Sequence, residues 1–167
     1  MRPRVEGTIA QGEMAGDTHL YMGIVDDDWA TLFPDQVTVD KSFIERGQDR
    51  FNIYCSPCHG KVGFGEGLVH KRATTLVETG ANGTAWVAPK NLHEDLIRIQ
   101  PVGQIFNTIT NGVRTMSAYA SQIPVNDRWA IVSYIKALQL SQNADPTLVD
   151  GADTLPRHEV KVEGDGE

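Results

Sequence analysis

Cys55-Ser56-Pro57-Cys58-His59 gathers two thiols and an imidazole into five consecutive residues. The spacing is C-x-x-C-H, the attachment sequence for c-type haem. Two thiols about one helical turn apart can each add to one vinyl group of a single porphyrin, and the adjacent imidazole then lies beneath the ring, where one nitrogen can bind iron. Two other chemistries use cysteines at this spacing. A thioredoxin-like redox pair belongs on a strand-to-helix turn, and no strand is expected before Cys55. A structural zinc site needs four ligands, and a chain with only two cysteines could complete the set with His70 and His93 alone, an atypical combination.

A six-coordinate haem iron takes its sixth ligand from elsewhere in the chain, and thioether sulfur opposite histidine raises the reduction potential. The methionines are Met1, Met14, Met22 and Met116. Met116 sits in the non-helical stretch from Gly112 to Pro124, between two expected helices, where a loop can fold over the open face of a ring; it is the favoured ligand. His59 also needs its second ring nitrogen held, because such hydrogen bonds fix tautomer and orientation. Pro89-Lys90-Asn91-Leu92 is a suitable place, since a proline-stiffened loop can present a backbone carbonyl rigidly; an ordinary proline before a helix would look the same.

The elements that must position these groups are helical. From Lys41 to Tyr54, Phe43, Gly47, Phe51 and Tyr54 recur at i, i+4, i+8 and i+11, with Asp40 as N-cap and Ser42 with Glu45 at capping-box spacing. Ile131, Tyr134, Ile135 and Leu138 mark a last helix, with Asn126-Asp127 as its start signal. Between them, Val102 to Ile109 reads as a helix opened by Pro101 and closed by Asn111-Gly112, and a shorter one is expected from about Glu94 to Ile99. No run alternates with period two, so the centre is expected to be all-α.

The 167 residues divide by charge. Residues 1–40 carry two bases against eight acids, residues 145–167 two against seven, and residues 41–144 eleven against seven, so an overall charge of −7 conceals a mildly basic centre. The organisation expected is an extended N-terminal arm over 1–40, a haem domain over 41–144 and a flexible acidic tail over 145–167. Net acidity argues against nucleic acid and against anionic lipid surfaces as partners. The apolar run Trp129 to Ile135 is far short of the roughly 20 residues that span a bilayer. Met1-Arg2-Pro3-Arg4 runs into polar sequence, so no export signal is read.

A helix bearing Gly47 and Phe51, then C-x-x-C-H-G, a Pro-x-x-Leu loop, Asn-Gly before a methionine loop, and a last helix with Tyr134 together resemble class I cytochrome c over residues 41 to about 140. The resemblance implies three to five helices around one covalently bound haem c. It further implies that the first and last helices cross near Gly47 and Tyr134, that the Pro89 carbonyl accepts from His59 beside Leu92, and that Met116 is the axial sulfur. A narrower likeness lies in Gly47 to Gly60, Pro101-Val102-Gly103, Ile109 to Gly112, Asn126 to Ile135, Val5 to Ala10 and His19-Leu20-Tyr21. These stretches are similar to the mono-haem cytochrome c subunit of bacterial alternative complex III. Two features depart from that group: Met116 is followed by Ser117 where Met-Pro is common, and no cysteine precedes Cys55 to carry a lipid anchor.

The likeness implies electron transfer rather than enzymatic catalysis, on the periplasmic side of a bacterial inner membrane. The partners implied are the other subunits of a quinol-oxidising membrane complex, among them multi-haem cytochrome and iron-sulfur subunits, and downstream a cytochrome c, a copper protein or a terminal oxidase. A freely diffusing periplasmic carrier is the main alternative. A haem peroxidase or gas sensor would require Met116 to leave easily. The aromatics Tyr21, Trp29 and Phe33, set in a segment without helical period, suggest that residues 1–40 order against neighbouring subunits.

Overall fold

The computed structural model describes residues 16–81, 86–142 and 144–145. In chain order the elements are α1 (Thr18–Met22), β1 (Ile24–Val25), β2 (Asp28–Trp29), α2 (Lys41–Tyr54), α3 (Ser56–His59), α4 (Leu68–Glu78), α5 (Asp95–Arg98), α6 (Val102–Asn111) and α7 (Val125–Ser141). β1 and β2 form a two-residue antiparallel ladder, Ile24 opposite Trp29 and Val25 opposite Asp28. The centre is all-α, as its periodicity predicts.

Asp40 starts α2 by accepting hydrogen bonds from the Phe43 amide (2.8 Å) and the Ser42 hydroxyl (2.7 Å). These bonds, the Ser42 one foremost, hold the Asp40 carboxyl below the usual carboxylate range. Ser42 is thereby committed to Asp40, and Glu45 pairs with Lys41 at 3.7 Å, so the expected capping box does not form. The inward face of α2 carries Gly47 and Phe51, both buried.

That face meets α7. A Cβ on Gly47 would lie 2.0 Å from the Ala130 carbonyl oxygen and 3.0 Å from the Tyr134 Cβ, so only glycine lets the two helices approach this closely. Phe51 and Tyr134 pack beside the crossing with ring centroids 5.3 Å apart. Every residue of α7 from Asp127 to Ile135 is buried, which is the mark of a helix covered on all sides rather than on one stripe. Asp127, expected as part of a start signal, instead turns its carboxylate inward. It lies 2.5 Å from Arg46 Nε, and Arg50 Nε stands 3.1 Å away, close enough for an ion pair though not aligned for a hydrogen bond. The N-cap position of α7 is Pro124.

Trp129 occupies the far side of α7. It stacks on Phe106 of α6 at 4.2 Å, takes Phe33 edge-on at 5.7 Å, and donates from Nε1 to the Leu20 carbonyl at 2.8 Å. Residues 16–40, expected as an extended arm, therefore fold onto the chain's own helices. Asp17 caps α1 through the Leu20 amide, and Leu20, Phe33 and Val37 pack against the core. The Ala30 carbonyl accepts the Gly103 amide at 2.9 Å, supplying the first turn of α6 with an acceptor that no capping side chain provides. The aromatic content signalled order here; what it did not disclose is that the contact is internal.

α4 has no counterpart among the helices expected from the sequence. Its apolar residues Leu68, Val69 and Val77 remain exposed, so the helix contributes little to the core from which periodicity is usually recognised. Residues 1–15 and the acidic tail from 146 onward lie outside the described residues.

A Cβ on Gly103 would fall 2.0 Å from the Gly23 carbonyl oxygen. Gly103→Ala is therefore expected to lever the N-terminal segment off α6, lowering stability by about 1–3 kcal/mol in urea unfolding. Limited proteolysis should then cut within 24–31; unchanged cleavage and stability would show that the segment does not depend on this contact.

Candidate functional site

The α2–α7 crossing fixes where α2 ends, and the C-x-x-C-H motif begins at the next residue. Cys55 stays in helical conformation (φ −105°, ψ −41°), and its carbonyl accepts from the amides of Cys58 (3.1 Å) and His59 (2.8 Å). The two cysteines are thus one turn apart, as double attachment to one porphyrin requires. The chain then reverses: the Gly65 amide donates to the His59 carbonyl at 2.8 Å and the Gly67 amide to the Cys58 carbonyl at 2.9 Å, satisfying the open end of α3. Gly65 has φ +86°, and a Cβ there would lie 2.6 Å from the Pro89 carbonyl oxygen. The proline loop is seated on that glycine. Leu92 ties it further, its amide donating to the Gly63 carbonyl at 2.8 Å and its own carbonyl accepting from Gln139 Nε2 of α7 at 2.7 Å.

His59 Nδ1 donates to the Lys90 carbonyl at 3.0 Å. The loop is the expected one, but the acceptor is one residue beyond Pro89. The physical reason is the contact just described: the Pro89 carbonyl faces Gly65, so the next carbonyl meets the imidazole. With Nδ1 carrying the proton, Nε2 keeps a lone pair for a metal. Burial pushes the His59 pKa below its ordinary value, partly opposed by the Lys90 bond, so the ring is held neutral as a ligand must be.

The same environment argues against the other cysteine chemistries. Burial, and secondarily the nearness of Cys58, pushes the Cys55 thiol up to about 12, the reverse of the lowered value a redox-active thiolate needs. Among the described residues no three His, Cys, Asp or Glu side chains converge as a metal set. His93 Nε2 is bonded to the Val62 carbonyl at 2.7 Å and His70 Nδ1 accepts from Trp86 Nε1 at 2.7 Å, so one nitrogen of each ring is already committed to another partner.

Met116 lies in the expected loop, half-buried, closing a tight turn in which it and Val113 exchange backbone hydrogen bonds of 3.1 and 2.8 Å. Tyr119, three residues on, brings this loop to the cysteines. Its ring packs edge-on to Tyr54 at 6.5 Å, and its hydroxyl is pushed above the ordinary tyrosine value by burial and then by the closeness of Cys58 and Cys55. Met22 is exposed on the N-terminal segment, and Met1 and Met14 lie outside the described residues. Tyr119 and the Lys90 carbonyl escaped the sequence reading, since no residue pattern marks either.

These residues fit a covalently held haem: two free thiols a turn apart and an imidazole oriented by a carbonyl. Cys55 and Cys58 would form the thioethers and His59 the iron bond. Bound there, haem c supplies a one-electron iron couple. The helical architecture and this site together define a class I c-type cytochrome. Residues 43–135 match the family model described as cytochrome c oxidase, cbb3-type, subunit III, and the chain belongs to that family, as a cytochrome c domain with covalently bound haem. No curated protein matches the chain. Its function is haem-based electron transfer. Among the described residues no helix is long and apolar enough to cross a membrane.

Replacing both thiols, Cys55→Ser with Cys58→Ser, should abolish haem staining on a denaturing gel, while either single variant keeps one thioether and some stain. Full staining of the double variant would contradict covalent attachment at this motif.

Proposed function

We propose that the protein is a His59/Met116-ligated mono-haem cytochrome c that serves as a periplasmic-side subunit of the quinol-oxidising alternative complex III. In this reading it takes electrons from multi-haem and iron-sulfur partner subunits and passes them to a soluble carrier or a terminal oxidase. With both axial positions filled, iron has no open site for oxygen or peroxide, and outer-sphere electron transfer is the chemistry that remains. The loop carrying Met116 is suited to the ligand role because its neighbour Tyr119 packs on Tyr54, the residue before Cys55.

The observation that carries the subunit assignment is where the narrower likeness falls. His19-Leu20-Tyr21, part of the shared N-terminal wording, belongs to the segment that clasps α7 through Trp129 and α6 through Gly103. That segment leaves Met22, Val25, Trp29 and Leu32 exposed, the last at 75%, apolar side chains available to a larger neighbour. The description of the matched family names an oxidase subunit, which makes attachment to a terminal oxidase the second reading.

Met116→Leu is expected to remove the red charge-transfer absorption of the ferric protein, to lower its potential and to let the reduced protein bind carbon monoxide at neutral pH. Retention of the absorption and potential would exclude Met116 as ligand. For the assembly, the tagged chain purified gently from its host's membranes should bring down multi-haem and iron-sulfur subunits with quinol-oxidising activity. Recovery with an oxidase core alone would favour the second reading, and recovery as a soluble monomer would support a free carrier.

A further inference from the structure

Arg128 follows Asp127 on α7 and is 97% buried, its exposure being 3%. Its guanidinium spans two points that are far apart in sequence and adjacent in space. Nε donates to the Ile123 carbonyl at 3.1 Å, Nη1 donates to the Thr110 hydroxyl oxygen, and the charged carbon sits 4.9 Å from the centroid of the Phe106 ring. Thr110 is the penultimate residue of α6, and its hydroxyl in turn donates to the Phe106 carbonyl at 2.7 Å. Ile123, 1% exposed, closes the loop that leads into α7. One side chain therefore clips together the two ends of the loop that contains Met116.

The backbone follows the same plan. The last carbonyls of α6, Ile109 and Thr110, accept from the amides of Tyr119 (3.0 Å) and Ala120 (3.3 Å), laying the second half of the loop along the helix end. The first half, around Met116, is held by its own turn with Val113. A loop of this length loses substantial conformational freedom when its ends are pinned, and a ligand presented by it binds more strongly when that freedom is already gone. Arginine suits the task because its rigid planar fork donates from two separate nitrogens, Nε to Ile123 and Nη1 to Thr110, whereas a lysine would have to serve both acceptors from a single nitrogen.

We propose that Arg128 is a positioning residue for the axial methionine: by tying Thr110 to Ile123 it keeps the Met116 loop closed and so sets how readily the sulfur yields its place on iron. The inference rests on Met116 being the ligand. Arg128 acts through the two ends of the loop, Thr110 and Ile123.

Imidazole binding to the ferric holoprotein, followed by its visible spectrum, measures how readily Met116 is displaced. Arg128→Lys keeps the charge but cannot hold both ends; Thr110→Val removes only the hydroxyl and keeps the shape of the side chain. Each is expected to bind imidazole about tenfold more tightly than the wild type, the weight of one charge-assisted hydrogen bond. Amide exchange at Tyr119 and Ala120 should quicken, with helix content unchanged. Unchanged imidazole affinity in both variants, beside clear tightening in Met116→Leu, would overturn the role of Arg128 and leave the ligand assignment standing. A wild type that already binds as tightly as Met116→Leu would remove the ligand assignment itself. Lowered thermal stability with unaltered imidazole affinity would place Arg128 in the core alone and overturn the proposal.

Discussion

Where α2 crosses α7 two backbones meet, and the Ala130 carbonyl occupies the space a side chain on Gly47 would need. Everything that handles haem depends on that crossing, because α2 runs without interruption from it to Tyr54 and delivers Cys55 at its end. The crossing is secured beside it by Phe51 on Tyr134 and by the Asp127 carboxylate between Arg46 and Arg50. The Asp127 carboxylate is buried while both arginine side chains keep contact with solvent, so removing them would leave a buried carboxylate uncompensated, and the pairing favours one register of the two helices over others.

From this crossing α7 acts as a single beam that supports both sides of the site. Toward its C-terminal end Gln139 holds the Leu92 carbonyl, and Lys136 caps the α5 region by donating to the carbonyls of Arg98 (2.9 Å) and Gln100 (2.8 Å). Burial lowers the Lys136 pKa, yet those two acceptors suit its charged form. These contacts brace the stretch whose Lys90 carbonyl orients His59. Toward its N-terminal end Arg128 braces the loop that carries Met116. A helix buried on every face, with polar side chains retained at 127, 128, 133 and 139, is what such a double task requires.

Much of this was legible in the residues. Three chemical groups at fixed spacing disclose the cofactor, and helical periodicity with proline and glycine punctuation discloses α2, α5 and α6 to within a residue or two and the start of α7. What stayed hidden was information carried by space rather than by sequence. The acceptor for His59 shifted from Pro89 to Lys90 because Gly65, outside any motif, seats the loop. The segment 16–40 looks like an arm in the sequence because short elements have no period; its order comes from Trp129, about a hundred residues away. α4 leaves no periodic signal because its apolar side chains Leu68, Val69 and Val77 stay exposed. The charge division over 1–40, 41–144 and 145–167 remains a true property of the sequence, but it does not coincide with a structural boundary at residue 40.

The account centres on one haem held between His59 and Met116 by supports that converge on α7. Proton nuclear magnetic resonance of the reduced holoprotein, with methionine methyl groups selectively labelled, tests it most directly. An axial methionine places its methyl group in the strong ring current of the porphyrin. A single methyl signal shifted far upfield and assigned to Met116 is the predicted result. The absence of any such signal, or its assignment to Met14 or Met22, would contradict the account.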